Sequence, residues 1–194
     1  MMGSGFTRGR RGRILGTFSP LEAELLRSLV SQVVELVRDE SPETPASADP
    51  LESLLDLGGP IDVPDDPVLA RLLPDAYADD EEAAGEFRRY TERGLRDQKA
   101  VQGQRVIADL EEAGLPPEVD ADAEPIELEL AADQSQAWLR CLTDVRLALA
   151  TRLGVEEDDE DYWLSLPDDD PQVYLHDIYD WLGYVQETLV QALT

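Results

Sequence analysis

The sequence predicts a mainly helical α+β protein, a bundle of about four to six helices with a small two-stranded β element. Three observations lead there. Apolar residues recur at three- and four-residue spacing along most of the chain, the period of an amphipathic helix. Several of these stretches open at Ser-Pro or Asp-Pro pairs, and several close at Gly or Pro, which start and stop helices. Strand character is confined to two short runs, RILGTF and PIELELA. With 42% hydrophobic residues in 194, one domain can bury its own core. The expected organisation is a flexible basic arm over residues 1–12 and a single helical domain over 13–194, with a mobile acidic, proline-rich loop at about 39–50.

RILGTF is a β-branched and aromatic run that ends at a helix start. SPLE then opens a helix: Ser19 caps it, Pro20 needs no amide donor, and Glu22 can reach back to the cap. Leu21, Leu25, Leu29, Val33 and Leu36 are expected to form its core stripe. DESPETPASADP interrupts the helix. DPLESLLDLGG and DDPVLARLLP read as two short helices. Between Asp79 and Gly114 runs one long helix. Its glycines 85, 94 and 103 are nine residues apart and so share no single face. Its cations, Arg88, Arg89, Arg93, Arg96, Lys99 and Arg105, read as a solvated face.

PIELELA alternates Ile126, Leu128 and Leu130 with Glu127 and Glu129, a half-buried strand that can pair with RILGTF. Asp133 is expected to cap a helix reaching Leu153 and closed by Gly154, with Trp138, Leu142, Val145, Leu149 and Leu153 on one face. Asp170 and Pro171 open the last helix, whose stripe is Tyr174, Ile178, Trp181, Val185 and Leu189; His176 points outward.

The chain carries 43 acidic against 16 basic residues, a net charge of −27, which makes naked phosphate a poor partner. No apolar run reaches 18 residues, so no membrane span is expected, and TRGRRGRILGTF does not read as an export signal. The one cysteine, Cys141, sits among small apolar neighbours and reads as core rather than as a redox thiol. Arg146 and Arg152 lie in or near the apolar arc, and each should need a carboxylate. There is one histidine, no GxSxG, no P-loop, no HExxH and no EF-hand loop, so no cofactor or metal is called for.

The candidate partner surface is the acidic run Glu156, Glu157, Asp158, Asp159, Glu160 and Asp161 with Tyr162 and Trp163, an anionic segment with apolar anchors suited to a basic protein face. A secondary candidate is the arm with Arg8, Arg10, Arg11 and Arg13, which can touch phosphate, although the overall charge disfavours nucleic acid.

SPLEAELLRSLVSQVVELV and WLRCLTDVRLALATRLGVEEDDED together resemble the AosR-like family of oxidative-stress regulators, a domain-of-unknown-function family, with LTDVRLALATRLGV the most distinctive part. The resemblance implies a cytoplasmic, non-enzymatic transcriptional regulator that contacts a sigma factor or RNA polymerase in stress or cysteine-synthesis gene expression. It also implies, for the redox-responsive form, a CxxxC pair that closes on oxidation. This chain departs there: Cys141 stands alone, with Ala137 and Val145 four residues to either side, so no intramolecular disulfide can form. The rival reading is an adaptor or scaffold in protein turnover or cysteine metabolism. A carboxylate enzyme would instead need a pocket that gathers acids with perturbed pKa values.

Overall fold

The computed structural model describes residues 4–39, 62–76, 80–157, 159–167 and 169–194. Strand β1 (Gly5–Arg8) and strand β2 (Ile14–Phe18) form an antiparallel hairpin, and β2 leads into helix α1 (Pro20–Asp39). Helix α2 (Pro67–Leu72) is short, and α3 (Glu81–Glu112) is the longest element. Strand β3 (Ile126–Leu130), helix α4 (Ala132–Leu153), short helix α5 (Glu160–Ser165) and helix α6 (Pro171–Leu193) complete the order.

β2 is the central strand, with β1 on one side and β3 on the other. The expected pairing of RILGTF with PIELELA is present, with Ile14 opposite Leu130 and Phe18 opposite Ile126. Ile126, Leu128 and Leu130 are buried while Glu127 and Glu129 face solvent, as period-two alternation requires. The expected two strands are three: the stretch read as a flexible arm contains β1. Phe6 draws it in, for its ring is buried edge-on to Phe18 and Trp138, at 5.4 Å from each. Thr188 on α6 holds the Phe6 amide at 3.0 Å.

α1 begins as its sequence indicates. The Ser19 amide donates to Glu22 Oε2 at 2.7 Å, and the Glu22 amide donates to Ser19 Oγ at 3.3 Å. Burial alone would raise the Glu22 carboxyl pKa, but hydrogen bonds from Ser4 and Ser19 hold it below the usual value. The buried arc of α1 is rotated from the expected stripe: Ala23, Leu26, Val30, Val33, Val34 and Val37 are buried, Leu21 is exposed, and Leu25, Leu29 and Leu36 pack at the margin. The cause is the crossing with α3. A Cβ at Gly103 would stand 2.4 Å from Val34 Cγ2 and 3.3 Å from Val30 Cγ1, so this one glycine admits close packing although the three share no face. Gly103→Ala is expected to cost about 1–3 kcal/mol through overpacking. Gly94, with nothing within 4 Å of a Cβ, should gain up to ~1 kcal/mol as alanine. Chemical denaturation of both variants checks the contrast; equal effects would contradict the crossing geometry.

The cations of α3 form a solvated face only in part: Arg93 and Arg105 are exposed, and Arg88, Arg89, Arg96 and Lys99 are buried or half-buried. Arg88 and Arg96 are buried; Arg88 pairs with Asp75, and Arg96 Nε donates to Glu92 Oε1 at 2.7 Å. Lys99 Nζ bonds Asp144 at 2.7 Å across the α3–α4 seam. Further along, the buried Asp109 accepts from Arg105 Nε at 2.9 Å, Gln134 Nε2 at 2.8 Å and Trp138 Nε1 at 2.9 Å, fastening α3 to α4.

Two cap assignments come out differently. α6 is capped by Asp170, whose side chain accepts from the Gln172 amide at 2.9 Å, as expected. α4 is not capped by Asp133, which lies in its first turn; Ala131 holds the cap position, and Gln134 Oε1 accepts from its amide at 2.9 Å. Gly154 closes α4 at φ 70°, the left-handed region that suits glycine. The short helix expected at DPLESLLDLGG and all of the proline-rich loop beyond Asp39 lie outside the described residues.

Candidate functional site

The corner between α4 and α6 holds the acidic run. After Gly154 the chain turns through Glu156 and Glu157, and the Glu156 amide donates to Asp159 Oδ2 at 2.9 Å. That bond holds the Asp159 carboxyl below the usual range, so the turn keeps its charge further into acid. A depressed carboxyl stabilises the turn above the ordinary aspartate range, and the effect fades as pH falls through the lowered value.

α5 follows with its two aromatic rings in different roles. Trp163 is buried, stacked on the His176 ring at 4.4 Å between centroids and 27° between planes. Tyr162 meets Trp163 edge-on at 5.0 Å, donates from its hydroxyl to Gln172 Oε1 at 3.0 Å, and remains half exposed. Leu164 is 84% exposed. Two expectations change. Trp163 is an anchor for the segment rather than a free contact residue, and His176 is covered by Trp163, with Nδ1 3.6 Å from Asp180, rather than turned outward. The surface left facing solvent consists of Glu156, Glu157, Asp161, Tyr162 and Leu164. Glu160 begins α5, and Asp158 lies outside the described residues.

Arg8, Arg10, Arg11 and Arg13 are all exposed, but on a fixed turn. The Gly9 amide donates to the Arg13 carbonyl at 2.8 Å, Arg11 adopts φ 57°, and Arg13 Nε lies 3.5 Å from Glu129. This tip stands on the β-hairpin and is not part of the acidic corner.

Cys141 is 4% exposed, and burial, with Asp144 nearby, pushes its thiol up to about 12. The thiolate is the reactive form, so the thiol is chemically quiet at neutral pH. Arg152 finds the carboxylate the sequence called for, Asp66 at 2.6 Å, although the arginine is half exposed. Arg146 does not. Its guanidinium lies over the Tyr179 ring, 5.0 Å from the centroid, and Nη1 donates to the neutral Gln186 at 2.7 Å. Sequence reasoning also missed the stack of Trp163 on His176, whose only signal was one exposed-looking histidine thirteen residues beyond a tryptophan.

Among the described residues, no group of three or more His, Cys, Asp or Glu is placed to hold a metal, and no helix is long and apolar enough to cross a membrane. The class so defined is a mainly helical α+β domain with a small antiparallel sheet, whose acidic segment is pinned to the outside of the bundle. The chain belongs to the AosR-like family described as Domain of unknown function (DUF2017), which matches residues 3–193. The oxidative stress regulator AosR of Mycobacterium bovis is 30% identical over 195 residues, covering 93% of this chain and 82% of the relative; that of Mycobacterium tuberculosis gives the same figures. The putative oxidative stress regulator AosR of Mycobacterium leprae is 30% identical over 190 residues with the same coverage. No solved structure matches.

Proposed function

We propose that this protein is a non-enzymatic, cytoplasmic regulator of transcription that acts by protein contact, with a sigma factor or RNA polymerase as its partner in oxidative-stress or cysteine-metabolism gene expression. The names of its mycobacterial relatives support the regulatory class. The mode of action rests on one observation: the acidic turn from Glu156 is fastened to α6 through Trp163 and His176, with Glu156, Glu157, Asp161, Tyr162 and Leu164 exposed. An anionic surface held on a rigid frame steers a basic partner and loses little entropy on docking. Because Cys141 is single and buried, the contact operates without a thiol switch.

The test is to neutralise all six acids together, Glu156→Gln, Glu157→Gln, Asp158→Asn, Asp159→Asn, Glu160→Gln and Asp161→Asn, and to measure association with purified RNA polymerase and sigma factors. Association should slow by about tenfold at low salt and become less dependent on salt, with the fold retained. Association as fast and as salt-dependent as that of the unaltered protein would remove the acidic corner from the interface.

A further inference from the structure

We infer that Arg146 anchors an oxyanion-binding site in the seam between α4 and α6, a site distinct from the acidic corner and independent of the proposed regulatory role. Arg146 is half-buried, and three other cations withdrawn into the bundle are matched to carboxylates: Arg88 with Asp75, Arg96 with Glu92, Lys99 with Asp144. Arg146 has none among the described residues, in a chain carrying 43 acids. Its Nε is buried without a hydrogen-bond partner. A guanidinium partly withdrawn from water and left without a counter-charge gains from an external anion that reaches its exposed edge.

The surroundings fix the group instead of neutralising it. The Tyr179 ring supports one part of the guanidinium, and Gln186 Oε1 accepts from Nη1. Gln186 is itself oriented, since its Nε2 donates to Thr143 Oγ1 at 2.7 Å and the Thr143 hydroxyl donates to the Leu139 carbonyl at 2.8 Å. Gly183 makes the room: a Cβ there would lie 3.3 Å from Arg146 Nη2, so a side chain would crowd the guanidinium. An open groove of about 490 Å³ follows, lined by Arg146, Gly183, Gln186, Glu187 and Val190. Glu187, an acid that lines the groove, makes no ion pair with Arg146 and accepts from Gln191 Nε2 at 3.0 Å. Planar guanidinium donors held in one orientation suit a carboxylate or phosphate group, and charge-assisted hydrogen bonds supply the affinity.

Thermal unfolding of the full chain, followed against added inorganic phosphate or acetate with chloride as the control at equal ionic strength, reads out the site. The midpoint should rise saturably with phosphate or with acetate beyond the chloride response, and whichever anion acts identifies the group the site takes. Arg146→Gln should weaken the apparent affinity by about tenfold or more. Because that change also removes the packing on Tyr179, Gln186→Glu provides the second arm. It places a carboxylate where the amide oxygen already meets Nη1, so it should raise the midpoint in chloride alone and abolish the response to added anion. A response of the unaltered chain no greater than that to chloride, or an undiminished response in Gln186→Glu, would overturn the inference.

Discussion

Trp138→Ala should lower the unfolding free energy by about 3–5 kcal/mol, the range for deleting a large buried aromatic side chain. Trp138 is fully buried at the point where the sheet, α3 and α4 meet. Its ring packs edge-on to Phe6 and lies nearly parallel to Phe18 at 6.3 Å, while its N–H serves Asp109. The two contributions can be separated. Trp138→Phe retains most of the packing and removes only the N–H, so it should cost about 1–3 kcal/mol, the penalty for weakening a buried carboxylate's hydrogen bonding. Urea denaturation measures both, with an unchanged slope showing that the unfolded state is unaffected. Equal losses for the two variants would mean that the hydrogen bond, not the ring, holds the junction.

Glu92→Leu is expected to cost a similar amount, about 3–5 kcal/mol, because it strands the Arg96 guanidinium in the interior. Both partners are about as buried as any aliphatic core residue, at 3% and 4% exposed. Among the described residues Arg96 would keep its bond to the Val37 carbonyl, at 3.2 Å, and no carboxylate. The double variant Glu92→Leu with Arg96→Met should recover most of the loss, since an apolar pair of similar volume leaves no uncompensated charge. A single variant within about 1 kcal/mol of the unaltered protein would place the pair in water.

What the sequence made legible was local. Ser19 with Glu22, Asp170 with Pro171, Gly154 and the alternation of PIELELA each declare themselves within five or six residues, because caps and period-two patterns are set by near neighbours. What escaped depends on partners far along the chain. GFTR has one buried side chain, Phe6, and its value as a strand lies in β2, Trp138 and Thr188. α1 carries two overlapping apolar arcs, and the glycine that selects between them, Gly103, is on another helix. The arginines of α3 looked solvated, although Glu92 four residues before Arg96 was a readable sign of pairing.

The candidate site divides the same way. The charge of residues 156–161 and the raised thiol of Cys141 could be read directly, since both follow from composition and apolar surroundings. That Trp163 faces inward could not, because the ring it covers, His176, lies on α6. That no described carboxylate pairs with Arg146 was equally hidden, and it departs from the expectation that an arginine in an apolar arc brings its own acid.

The most direct measurement is a pull-down with the full chain as bait, performed under reducing and under oxidising conditions, with captured proteins identified by mass spectrometry and the six-acid variant run alongside. A sigma factor or RNA polymerase recovered equally in both conditions, and depleted with the variant, is the expected result for a constitutive regulator that docks through its acidic corner. Recovery that depends on oxidation, or capture of proteolytic or biosynthetic enzymes in place of transcription proteins, would contradict it.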